Sequence, residues 1–218
     1  MASPSEILDL AFQNAAKSLE TPVISDVSIT DQVEYVCRNL QNRAGVRLLM
    51  ACLLAKLHRP EVDIRKPYTE IGTDDAFSGR TYDEQYLTAF IDKHNLPCNP
   101  TTAFLTPALR NRNATLTPDL NLVGRPPLLY QTILQLLSEV HKSRVLAEDM
   151  LVEIIRGLII VRNEQNARMQ TLLAQLKTVK HGTPLSSEGI VTLIQQHLSS
   201  PHSSRLPVLI VAAAYKAA

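Results

Sequence analysis

The chain has 218 residues, with 22 Lys+Arg against 21 Asp+Glu and a formal net charge of +1, which excludes a uniformly basic nucleic-acid coat and throws any electrostatic case onto single segments. A hydrophobic content of 45% with 20% charged residues excludes wholesale disorder, and only 7 Gly argue against a turn-rich all-β fold. The 3 cysteines, Cys37, Cys52 and Cys98, are odd in number and form no C-x-x-C pair, so they support neither a disulfide framework nor a structural zinc site.

In chain order, residues 5–19 place Ile7, Leu8, Leu10, Ala11, Ala15 and Leu19 at helical spacing, and Pro22 ends the pattern. The start carries Glu6 and Asp9 and no basic stretch before an apolar run, so it does not read as a signal peptide. Thr30, followed by Asp31, predicts an N-cap for a helix to about residue 40. Residues 43–58 form a more apolar helix with Leu48, Leu49, Cys52, Leu53 and Leu57 on its buried side; Pro60 stops it. Residues 61–79 are polar and turn-rich, with room for a short strand at 62–64. Thr81 and Glu84 have the spacing of a capping box for a helix to His94, with Tyr86, Leu87, Phe90 and Ile91 inward and Asn95 as a left-handed C-cap.

Residues 96–127 break this rhythm. Pro97, Pro100, Pro107, Pro118, Pro126 and Pro127 exclude long regular helices, leaving space for a short one at 101–111. Phe104, Leu105, Leu109, Leu120, Leu122 and Val123 predict that the segment packs rather than floats, and long ordered irregular segments are usually functional. Helices resume at 127–142, with Pro127 in the first turn, and then at 146–179 with a kink near Gly157, at 186–198 and at 206–218. Glu153 and Arg156 interrupt the most apolar run, 151–161, so no stretch reaches the roughly 20 apolar residues that span a bilayer. The expectation is a cytoplasmic, mainly α protein: an irregular helical bundle with a long ordered Pro/Asn/Arg-rich loop and at most a minor short strand pair. It divides into an N-terminal helical part (1–60), a loop-rich recognition part (61–127) and a C-terminal helical part (128–218).

Catalytic signatures are missing from the sequence. It has no Gly-rich phosphate loop, no G-x-S-x-G elbow and no H-E-x-x-H helix. The metal-dependent nuclease core needs carboxylates to hold the cation and, in [D/E]-x-K, a lysine to orient the attacking water; no Asp or Glu here is followed two residues on by Lys. Asp63-Ile-Arg65, in a loop with Glu61 and Lys66, is the nearest approach, and a solvated charge run is the better account of it. His94 and Cys98 lie four apart with Pro97 between them and no second pair, so no metal site is assigned.

The polar residues of the irregular segment remain: Asn99, Thr101, Thr102, Arg110, Asn111, Arg112, Asn113, Thr115, Asn121 and Arg125, against the single acid Asp119. Arg clamps guanine O6 and N7 and Asn clamps adenine N6 and N7, each with two hydrogen bonds, while hydroxyls and backbone N–H groups suit phosphate. Asn and Thr are also ordinary turn residues and an Arg-Asn-Arg-Asn run can simply be solvated, so composition alone puts a structural role ahead of DNA contact.

The strings GTDDAFSGRTYDEQY (72–86), LPCNPTTAFLTPALRNRN (96–113) and LNLVGRP (120–126), with PLSSE (184–188) and SSRLPVL (203–209), resemble the SacI family of type II restriction endonucleases over most of the chain from about residue 63 onward. The resemblance implies a Mg2+-dependent enzyme that cuts double-stranded DNA at a short specific site. It also implies catalytic residues beyond Ala218, in keeping with the uncapped apolar helix at the end. Under this resemblance Asn99, Arg110, Asn111, Arg112, Asn113 and Arg125 are the expected base-reading residues, with Arg80 and Lys66 as phosphate contacts. A palindromic site would further imply a homodimer. The competing expectation is a helical protein-interaction or regulatory module without nuclease activity.

Overall fold

The structure, a computed structural model, describes residues 2–39, 43–110, 112–122 and 126–179, together with Val191, Thr192 and Gln195. The chain divides into two compact units, Met1–Gln165 and Asn166–Ala218. The α-helices are α1 (Pro4–Lys17), α2 (Val27–Arg38), α3 (Ala44–His58), α4 (Gly79–Tyr82), α5 (Thr88–His94), α6 (Pro127–His141) and α7 (Ala147–Val179). A π-helical stretch, Asp83–Leu87, joins α4 to α5 without a break, and short 3-10 turns occupy Thr69–Ile71 and Ala103–Leu105. The fold is mainly α, and no strand occurs among the described residues.

α3 is the central element. Every residue from Ala44 to Ala55 is buried, as a helix apolar on all sides must be. α1, α2, α6 and the α4–π region surround it. Gly45 lets α6 approach closely, because a Cβ there would run into Ile133 and lie 3.6 Å from Leu129. α7 is continuous α-helix through Gly157, where the sequence left room for a kink. That glycine instead makes room for Cys37, whose Sγ would lie 3.0 Å from an added Cβ and which hydrogen-bonds the Ile154 carbonyl at 3.6 Å.

Two of three helix starts are capped by a residue other than the expected one. Ser3 and Glu6 form a capping box on α1, with each side chain accepting from the other's backbone N–H at 3.3 and 2.7 Å. Asp26, not Thr30, caps α2 by accepting from Ser28 N and Ile29 N; Thr30 already lies in the first turn, where its hydroxyl donates to the Val27 carbonyl. Ser78 caps α4 by accepting from Thr81 N, so the expected box of Thr81 with Glu84 does not form, and Glu84 accepts from Arg80 instead. Asn95 does end α5 in the left-handed region, at φ 49°.

Residues 62–64 form no strand. Val62 and Ile64 are buried, so the alternation reflects real packing, but Val62 N donates to Arg59 O and Asp63 N to Asp75 O, leaving no ladder. The short helix expected at 101–111 shrinks to one 3-10 turn. Pro107 disfavours helical geometry at Thr106, which is extended (φ −69°, ψ 144°). The irregular segment is packed, with Leu96, Ala103, Phe104, Ala108, Leu109, Leu116 and Leu122 in the core and Leu120 against it, but Leu105, expected to pack, is 46% exposed, and Val123 lies outside the described residues. The helices expected at 186–198 and 206–218 lie outside the described residues, apart from helical Val191, Thr192 and Gln195.

Candidate nucleic-acid interface

An ion pair sealed in the core fixes the first half of the irregular segment. Arg47 is the one charged side chain in the buried part of α3, with 1% exposure, and Asp83 on the π stretch has 0%. Arg47 Nε donates to Asp83 Oδ1 at 2.5 Å, Nη1 to the Asn99 carbonyl at 2.6 Å and Nη2 to Thr88 Oγ1 at 2.5 Å. Asp83 Oδ2 accepts from Thr102 Oγ1 at 2.6 Å and from Ala103 N at 2.8 Å. Both charges thus meet the condition for burial, which is pairing with the remaining donors and acceptors satisfied. Asn99 is tied directly to the central helix, and Thr102 and Ala103 are tied to it through Asp83. The π geometry at Asp83 is of a kind often found at functional sites; here it carries the carboxylate that holds the loop.

The second half is seated on residues 65–68. Tyr68 donates its hydroxyl to the Leu109 carbonyl at 3.0 Å, and burial pushes its phenol pKa up, which keeps that proton in place. Leu116 N donates to Arg65 O at 2.8 Å. Between these anchors Arg110 and Asn113 are exposed and Arg112 is half-buried. Arg112 Nε donates to the Ala108 carbonyl at 2.6 Å, which bends the side chain back along its own loop. Arg110 makes no hydrogen bond or ion pair among the described residues.

The other expected contacts divide. Lys66 is engaged by both oxygens of Asp75, at 2.9 and 2.8 Å, and Arg80 by Glu84 at 2.8 Å. Each reaches solvent already neutralised. Asn99 is half-buried, and its carbonyl belongs to the Arg47 network. Asn111 and Arg125 lie outside the described residues. The structure therefore brings Arg110, Arg112 and Asn113 together on one anchored loop and ties Lys66 and Arg80 into pairs of their own.

Glu61, Asp63 and Lys66 do not converge. Glu61 pairs with Arg59 at 2.7 Å and Lys66 with Asp75. Arg65 grips Asp63 with Nε on Oδ1 at 3.0 Å and Nη2 on Oδ2 at 2.7 Å, and His141 Nδ1 lies 3.4 Å from Oδ1. Burial pushes the Asp63 pKa up, but the Arg65 hydrogen bonds outweigh it and hold the carboxyl below its usual value. A Mg2+ ion does not fit here: Arg65 occupies both Asp63 oxygens, and no group of three or more potential ligands gathers among the described residues.

Sequence reasoning missed Arg47, Asp83 and His141. For Arg47 a signal existed, a lone charge inside an otherwise apolar helix; nothing local marks Asp83, 36 residues away, as its partner. No helix among the described residues is long and apolar enough to cross a membrane. No protein-family model matches the chain, and neither a curated protein nor a solved structure is significantly similar to it.

Proposed function

We propose that the chain is the DNA-recognition portion of a type II site-specific restriction endonuclease, acting in the cytoplasm on double-stranded DNA as a homodimer. One observation carries the reading beyond the family resemblance: the loop between Leu109 and Leu116 is tied down at both ends yet presents Arg110, Arg112 and Asn113 without an acid partner among the described residues. Rigid support with free donors is the arrangement that base reading requires, since a loosely held side chain loses its geometry. Arg110 is the foremost base-reading candidate. Arg112 follows, with one nitrogen committed to its own loop. Lys66 and Arg80 serve as phosphate contacts only after leaving their acids, which lowers their contribution. On this reading the Mg2+-dependent cutting step belongs to residues outside the described ones.

The test compares Arg110→Ala and Arg112→Ala with the parent chain on a specific and a random duplex at one fixed salt concentration. A base-reading Arg loses about 1–3 kcal/mol on the specific duplex only. Equal loss on both duplexes makes it a phosphate contact, and no loss on either removes it from the interface. A helical protein-interaction module is the second reading, favoured by an open apolar groove beside α1.

A further inference from the structure

α1 leaves one large apolar side chain on its outer face. Leu8, Ala11 and Ala15 are buried, but Leu10 is 53% exposed, although the sequence pattern places it inside. Leu10 lies on a groove of about 510 Å³ whose apolar lining is Ala2, Ile7, Leu10, Ala11, Leu57 and Pro60. Leu146, just before α7, is exposed at 65% and two residues from the groove residue Glu148. Grooves of this kind accept the apolar stripe of a helix, read by side chains at i, i+3 or i+4, and i+7.

Charge identifies the occupant. The two charged residues lining the groove, Glu6 and Glu148, are both acidic. The backbone and side-chain hydrogen bonds from Ser3 hold the Glu6 carboxyl below its ordinary pKa, so it is ionised at neutral pH. Glu148 is exposed and makes no hydrogen bond or ion pair among the described residues. The cations beside the Pro60 end are engaged elsewhere: Lys56 on the Pro60 and Val62 carbonyls and Arg59 on Glu61. A second copy of the same face is a poor match, because a two-fold contact sets like surfaces against each other and here brings acid to acid.

We infer that this groove binds an amphipathic helix of another protein whose apolar stripe is flanked by Lys or Arg. The inference rests on the interaction-module reading and does not depend on the Arg110 loop. Two fluorescent synthetic helices test it, each about three turns long with Leu at i, i+3, i+4 and i+7, one flanked by Lys and the other by Glu. Anisotropy titration of the 218-residue chain should show saturable binding of the Lys-flanked helix and weak binding of the other. Leu10→Glu, at an exposed position, should abolish binding while leaving the melting midpoint in place. Glu148→Lys should weaken the Lys-flanked helix by about three- to tenfold and tighten the Glu-flanked one. Equal binding of both helices, indifference to Leu10→Glu, or a Leu10-dependent dimer in sedimentation would each overturn the proposal. Duplex binding by Leu10→Glu, measured in parallel, keeps this result separate from the DNA reading.

Discussion

Replacing Asp83 by Asn removes one charge from the sealed pair and nothing else of size. The side chain is completely buried, as is its partner Arg47 at 1% exposure, so no water compensates the guanidinium left behind. Removing one member of a buried pair costs about 3–5 kcal/mol. The amide adds a second conflict: if its oxygen faces Arg47, its NH2 faces Thr102 Oγ1 and Ala103 N, two groups that donate to Asp83 in the parent. An orphaned buried hydrogen-bonding group costs about 1–3 kcal/mol, so the total falls at the upper end of that range. Set against a typical domain stability of about 5–15 kcal/mol, the loss brings the chain close to unfolding. Urea unfolding followed by far-UV circular dichroism measures it, as a lower midpoint with an unchanged slope. In a double-mutant cycle, Arg47→Met in the Asp83→Asn background should recover part of the loss, because it removes the stranded charge. A cost below about 1 kcal/mol for Asp83→Asn would refute the picture of a dry, fully engaged pair.

Gly45→Ala places a methyl against Ile133 and Leu129 where α3 meets α6, and should cost about 1–3 kcal/mol by overpacking; an unchanged urea midpoint would contradict the close approach. His94 stacks on Phe12 with centroids 3.7 Å apart and meets Phe90 edge-on at 4.9 Å, and its buried Nε2 has no hydrogen-bond partner, with Asp9 Oδ1 4.0 Å away. Burial first, then the charges of Lys93 and Arg162, hold its pKa below the ordinary 6.5, against the opposing pull of Asp9. The unfolded chain therefore takes up a proton before the folded one does. The stabilisation is complete above about pH 6.5 and is lost as pH falls toward the lower folded value. His94→Gln should flatten that acid limb of the melting midpoint, and an identical limb in the variant would assign it to other groups.

The helical regions were legible because period and punctuation agree there. α3 ends at His58, two residues before Pro60, α6 starts on Pro127, and Asn95 closes α5 in the left-handed region. The errors arose where several residues compete for one role. Thr30 and Thr81 have capping chemistry, but Asp26 and Ser78 lie upstream and start the turns earlier. At residues 62–64 alternation marked burial correctly, yet a strand also needs a neighbour, which a local pattern does not supply. The site was half legible. Composition singled out the irregular segment, whereas its anchoring depends on Arg47, whose partners Asp83 and Asn99 are 36 and 52 residues away, and on Tyr68, whose partner Leu109 is 41 residues away. Lys66 and Arg80, expected as phosphate contacts, are held in ion pairs by Asp75 and Glu84, only 9 and 4 residues away, where spacing alone does not say whether a cation meets a nearby acid or a phosphate.

The central claim, that the anchored Arg110 loop reads duplex DNA, is tested most directly by selecting binders to the chain from a randomised duplex pool at near-physiological salt. The account predicts enrichment of one short, near-palindromic sequence. It also predicts that Arg110→Ala relaxes the preference at a single position per half-site while random-duplex binding changes little. A pool that stays random, or a preference that survives Arg110→Ala intact, would contradict it.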